Sequence, residues 1–434
     1  MKKNLVKFLY GLQLLLVLIS TKIAYDWVNA AKTDFEPKTV FLGLAILLIG
    51  LIIRIISNKK EVNMKCPYDS ERLHTNQNNI INITLENLKN IFFKEEKKDL
   101  SKKILLEKMG DKVRRLPVIM LTKKAVNISR IISSNVDTNE INNVFINVLE
   151  NKCERRIWNN DTYRLMTLDE ESNNLILGKS DYYKTLSTCD IHYYNFMNDN
   201  NSMISCKGKE YDTWFQNLKN IVLYNQFTTV SASIGCSTLL VIKNYQENRF
   251  QYYIVDNSRA KNPADTKHVV PSFMFQPTKK VTNIDDFQLQ SNIQTQILKE
   301  FGEELLGMEE LEKVDNQREL ELIMEKNKDL ERIKKLLDNG KATLKVLGVS
   351  LDIFRLRPEL LTVLIIDDEK FYNNFRPKTS WEVSSKDKNG LGIYNIEDEE
   401  QYLKLIFDEK NPLVSPATAC LKLGREYVLS HYYN

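Results

Sequence analysis

Apolar residues are unevenly spread along this chain. Leu5 to Ile23 is apolar except for Lys7, Gln13, Ser20, Thr21 and Lys22, and Thr39 to Ile56 carries one charge, Arg54, near its end. Each stretch approaches the roughly 20 residues that cross a bilayer as a helix. Lys2 and Lys3 precede the first, and Arg54, Lys59, Lys60 and Lys65 follow the second. The Lys/Arg bias therefore puts both termini on the cytoplasmic side of a membrane. A two-helix transmembrane hairpin over 1–60 is the expectation. The alternative for the first stretch is a signal peptide, with a basic start and a cleavage-like Val28-Asn29-Ala30.

Residues 61–175 are polar, with Ile83, Leu85, Leu88, Ile91 and Phe92 at helical spacing and a Lys/Glu-rich stretch behind them. The pattern predicts a mostly helical connector or oligomerisation region, with one strand at Leu116–Thr122. The character changes near Leu175. Ser233–Lys243 reads as a buried strand, Asn244–Asn248 as a turn, and Arg249–Asp256 as an alternating, aromatic-rich strand. A helix is predicted from Asp285 or Asp286, with Leu289, Ile293, Ile297, Phe301 and Leu305 as its buried stripe. Residues 308–341 read as a charged helical insertion on the solvent side. Strands at Val346–Phe354 and Glu359–Asp367 follow, then a helix opened by Ser415-Pro416. The fold class expected is thus the hairpin followed by an α+β cytosolic region, with a C-terminal α/β/α sandwich over 176–434.

Composition narrows the function. The 434 residues hold 61 Lys+Arg and 57 Asp+Glu, a net charge of +4, too balanced for a nucleic-acid groove. Six scattered cysteines and four histidines give neither a C-x-x-C zinc site nor a disulfide framework.

The sharpest chemical signal is Lys299-Glu300-Phe301-Gly302-Glu303-Glu304. Glu300, Glu303 and Glu304 at i, i+3, i+4 share one helix face. Three neighbouring carboxylates suit Mg²⁺ or Mn²⁺ bridged to phosphate oxygens. A solvated helix face is the alternative.

A strand pair, a Pro-containing loop and a helix ending K-E-F-G-E-E-L together resemble the Nudix box. Lys299 stands at its Arg position and Glu300, Glu303 and Glu304 at its metal-binding glutamates. The box's leading Gly and first Glu fall on Asp285 and Ser291, its late Gly on Leu306, and Pro271-Ser272-Phe273 replaces Pro-Gly-Gly. The segments Gly178–Asp190, Ser233–Ile242, His268–Pro277, Ile297–Gly307, Arg357-Pro358-Glu359 and Ser415–Glu426 resemble the SMODS-associated Nudix domain. With two membrane helices ahead of it, the chain resembles the membrane effectors of cyclic-oligonucleotide antiphage signalling (CBASS).

That resemblance implies a sensor of a cyclic di- or trinucleotide made by a nucleotidyltransferase encoded nearby. It implies a homo-oligomer that acts on bacterial inner-membrane lipid, while the balanced charge argues against a nucleic-acid partner. The other reading is a membrane-anchored Nudix hydrolase using a metal-bound water on a nucleoside diphosphate derivative. Phosphate-facing candidates are Arg259, Lys267, His268, Lys279, Lys280 and Arg357, all but the last in loops between strand and helix. Tyr252 and Tyr253 are candidates to stack on a base, with at least one in the core.

Overall fold

The predicted strand hairpin lies inside the main sheet, toward one of its edges. Gly235–Asn244 (β6) and Arg249–Asp256 (β7) pair antiparallel around a turn that Asn248 closes with φ of +53°, a conformation asparagine tolerates. The computed structural model describes residues 79–90, 103–132, 137–152, 157–169, 171–198, 203, 205–256, 267–277, 292–308, 322, 324–377, 390–408 and 412–433.

The strands before the hairpin are Ile104–Met109 (β1), Lys112–Thr122 (β2), Asn127–Ile132 (β3), Asp161–Asp169 (β4) and Asn174–Asp181 (β5). After it come Lys267–Val269 (β8), Ser272–Met274 (β9), Ala342–Asp352 (β10), Arg357–Ile366 (β11) and Leu391–Asn395 (β12). The main sheet runs β1-β2-β10-β11-β6-β7-β12, with β8 on β7 and β9 on β6, while β3-β5-β4 form a second sheet. Only the β11–β6 pair within the main sheet is parallel, so this is an α/β fold on a large mixed sheet.

Helices cover both faces of that sheet. They are Ile191–Asn198 (α1), Lys209–Tyr224 (α2), Ile293–Leu305 (α3), Lys328–Asp338 (α4), Glu399–Ile406 (α5) and Ser415–Tyr432 (α6). Leu239 and Val241 of β6 with Leu361, Val363 and Ile365 of β11 pack under α5 and α6. Leu240, Ile242, Leu364 and Ile366 point to the opposite face, under α3 and α4. The period-2 alternation of a strand thus feeds two cores.

The expected two-span membrane hairpin finds no support. Among the described residues no helix is long and apolar enough to cross a membrane. The 18-residue α6, longest of the labelled helices, carries Lys422, Arg425 and Glu426 in its middle and cannot serve. The stretches Leu5–Ile23 and Thr39–Ile56 lie outside the described residues. The inner-membrane placement with both termini cytoplasmic is withdrawn with the hairpin.

Two further expectations change. Residues 61–175 are not mainly a helical connector: they supply β1–β4, and backbone contacts group Pro67–Asn434 as one unit with no boundary at 175. The strand pattern was hidden because β4 buries the polar Thr162 and Arg164. Arg164 Nη1 pairs with Asp137 Oδ1 at 3.2 Å, and Thr162 Oγ1 lies 2.6 Å from Ser233 Oγ, which supplies the partners a buried polar group needs. Within 308–341, α4 is no free arm either. Its charges cover one side while Leu330, Ile333 and Leu336 are buried against the sheet.

Candidate functional site

The carboxylate helix α3 starts where Asn292 caps it, the side chain accepting from Thr295 N–H at 3.0 Å. The start expected at Asp285 lies outside the described residues. Ile297, Phe301 and Leu305 are fully buried as the stripe requires. Lys299 and Glu303 are buried too, at 6% and 8% exposed, so the polar face is not a solvated one.

Its geometry is an internal ion cluster. Lys299 Nζ lies 2.9 Å from Glu300 Oε1 and 3.1 Å from Glu303 Oε2. Burial opposes the charged amine, but the Glu300 and Glu303 carboxylates outweigh it and hold Lys299 above its ordinary range. Glu304 turns away, its carboxylate accepting from Ser272 N–H of β9 at 3.3 Å. Among the described residues no group of three or more His, Cys, Asp or Glu side chains is placed to hold a metal ion. In this arrangement the Lys299 ammonium supplies positive charge to Glu300 and Glu303, two of the three carboxylates expected to hold Mg²⁺ or Mn²⁺.

The phosphate candidates fare unevenly. Arg259, Lys279 and Lys280 lie outside the described residues. Lys267 Nζ is paired with Asp408 Oδ2 at 2.7 Å. Burial holds the His268 imidazole down to about 4, and its Nδ1 lies 3.0 Å from the Val269 carbonyl, so it is neutral at pH 7. Arg357 Nη1 faces Asp190 Oδ2 at 3.5 Å. Tyr252 and Tyr253 are both core, at 0% and 4% exposed, which removes them as base-stacking surfaces.

A second polar cluster forms at one corner of the sheet, and only Arg357 of it was singled out by sequence. Ser350 stands opposite Glu359, and Asp352 opposite Arg357, across β10 and β11. Directly opposed residues share a face, so these four form a polar rectangle. Parallel pairing sets Gly235 beside Glu359. A Cβ on Gly235 would lie 2.0 Å from Glu359 Oε2, so the carboxyl rests where only glycine leaves room. Ser237 Oγ donates to Glu359 Oε1 at 2.6 Å. Beyond the strands, Arg355 pairs with Asp352 at 3.0 Å and with Asp190 at 3.5 Å, and its guanidinium stacks 3.8 Å from the Tyr193 ring. Burial pushes the Glu359 carboxyl up to about 7, against the Ser237 hydrogen bond and Arg357, which lower it.

Distant segments meet here. Asp190 ends Gly178–Asp190, Ser237 belongs to Ser233–Ile242, and Arg357 and Glu359 open β11. Cys420 of α6 donates its thiol to the Ser237 and Thr362 carbonyls at 3.2 and 3.3 Å. Sequence spacing gives no sign of this corner, because its members are between two and 230 residues apart in pairs such as Arg357–Glu359 and Asp190–Cys420.

The chain matches no protein-family model and no curated protein.

Proposed function

We propose that this chain is the nucleotide-sensing component of a cyclic-oligonucleotide signalling system, with its C-terminal region acting as a SMODS-associated Nudix-type receptor. The observation that carries this reading is the meeting of Asp190, Ser237, Arg357, Glu359 and Cys420. They come from four separate segments on which the family resemblance rests, Arg357 and Glu359 sharing one, and one corner of the sheet joins them. The ligand implied is a cyclic di- or trinucleotide made by a partner nucleotidyltransferase.

Binding is favoured over turnover by Lys299. A Nudix hydrolase needs a metal, a water and a base in one fixed geometry. Here the Lys299 ammonium is already paired with Glu300 and Glu303, and Glu304 is turned to Ser272. Recognition asks for less: a concave surface with a few polar groups.

Titration calorimetry of the full-length protein against a panel of cyclic di- and trinucleotides tests the reading. The expected result is saturable binding of at least one member, with the nucleotide recovered intact by chromatography after prolonged incubation with Mg²⁺. Binding of none would remove the receptor reading. Steady consumption of the bound nucleotide, lost in Glu303→Gln, would replace it with the hydrolase.

A further inference from the structure

The corner around Glu359 holds more buried polar atoms than it satisfies. Ser350 Oγ, Arg357 Nε and Asp190 Oδ2 are buried without a hydrogen-bond partner, and Ser350 is 0% exposed. Native proteins leave few such atoms, and each calls for a physical account. Asp190 and Arg357 face each other at 3.5 Å, yet the Asp190 oxygen of that pair makes no hydrogen bond. Arg357 is thus held by charge alone on that side. Two residues along the same strand face stands Glu359.

The charges can be followed element by element. Arg357 belongs to β11, like Glu359 itself. Asp352 comes from β10, and Arg355 from the turn that joins it to β11. Asp190 ends the helical turn Leu186–Asp190 that runs directly into α1, where burial keeps the neighbouring His192 imidazole neutral. From β6 and α6 come Cys236 and Cys420, whose thiols burial pushes up, Cys420 to about 12, so neither carries charge at neutral pH. Arg355 is matched by Asp352 and Asp190. The corner thus holds three carboxyls, Asp190, Asp352 and Glu359, and two arginines, with Asp190 shared between Arg355 and Arg357.

We propose that Glu359 is a proton-controlled latch that decides which carboxylate Arg357 serves. Protonated, Glu359 is a neutral acid hydrogen-bonded to Ser237, and Arg357 stays with Asp190. Ionised, it is a buried charge that needs a partner. The nearest guanidinium on its face is Arg357, whose Nε–H is unused. Arg357 then leaves Asp190 to Arg355 alone, and the turn Leu186–Asp190 loosens at its end. The proton remains on Glu359 in one state and goes to solvent in the other, with no other chemistry. Burial places the change near neutral pH, inside the range where a cell's pH acts. This inference does not depend on a nucleotide ligand.

Hydrogen exchange of the full-length protein, read by mass spectrometry and divided by the pH-dependent rates of unstructured peptides, tests the latch. Protection of the Leu186–Asp190 amides is expected to fall about tenfold between pH 6 and pH 8 in wild type, the equivalent of one pH unit of linked free energy. In Glu359→Gln, which keeps an uncharged group on Ser237, protection is expected to stay at its pH 6 level throughout. Should that variant fail to fold, Asp190→Asn serves, because it removes the competitor for Arg357 and is expected to abolish the pH dependence. Wild-type protection that is constant from pH 6 to 8 would overturn the proposal, as would an unchanged pH response in whichever variant folds.

Discussion

At the scale of single residues, Lys299 decides what the carboxylate helix is. Its ammonium and the Glu300 and Glu303 carboxylates are all nearly buried, with side-chain exposures of 7%, 13% and 10%. Breaking a buried ion group by removing one partner costs about 3–5 kcal/mol, because it strands the opposite charge. Lys299→Met is expected to destabilise the protein by that order at pH 7, measured by urea unfolding. Without the ammonium each acid is a buried charge with no counter-ion, a state that protonation relieves. The penalty should therefore shrink as pH falls toward about 4.5. Glu303→Gln leaves Lys299 paired with Glu300 and should cost less, about 1–3 kcal/mol. A metal-free stability of Glu303→Gln within about 0.5 kcal/mol of wild type would show instead a cluster awaiting an external cation.

At the scale of elements, α4 marks where pattern and structure part. Eleven residues, Lys328–Asp338, hold three buried side chains among charges. Average hydrophobicity reads such a helix as solvated, but the positions of Leu330, Ile333 and Leu336 at i, i+3, i+6 place them on one flank that meets β10. Ile333→Ala should cost about 2–5 kcal/mol in chemical denaturation, the range for truncating a buried aliphatic. A solvated arm would show almost none of it. The β6–β7 hairpin and the α3 stripe were legible because their apolar residues are regularly spaced, even though polar neighbours such as Lys299 and Ser237 are buried beside them. β4 was not, because Arg164 and Thr162 are inside and their partners Asp137 and Ser233 lie 27 and 71 residues away. The sheet corner was illegible for the same reason. Glu359 looks like an ordinary strand-end acid until the bare Cα of Gly235 and the Ser237 hydroxyl are set against it. The glutamates of α3 were legible as neighbours, yet their spacing could not say that Lys299 would sit among them.

At the scale of the whole molecule, the apparent boundary near 175 runs through the middle of a folding unit. β2 is the neighbour of β10 in the main sheet, and Val349, Ser350, Leu351 and Asp352 take their partners from Thr122, Met120, Ile119 and Val118. Leu116, Val118, Ile119, Met120 and Leu121 are all 2% exposed or less. At about 1.5–3 kcal/mol for each large apolar side chain, their burial alone rivals the 5–15 kcal/mol net stability of an ordinary domain. The second sheet is tied in as well, by the Arg164–Ser233 bridge and by Thr185 Oγ1, which lies 2.5 Å from Ser233 Oγ. A fragment beginning at residue 176 loses β1 to β4, bares one edge of β10 and strips Ser233 of Thr162. A fragment beginning at Pro67 keeps all of these. The 67–434 fragment is expected to unfold in urea as one cooperative transition. The 176–434 fragment, made in parallel, is expected to aggregate or to lack a transition altogether, since a long unpaired strand with apolar faces is a template for association. Matching midpoints and slopes for the two fragments would mean that residues 67–175 add nothing to the core. The Asp352–Arg355–Asp190 corner, whose outer strand neighbour is β2, would then owe its shape to the C-terminal strands and helices alone.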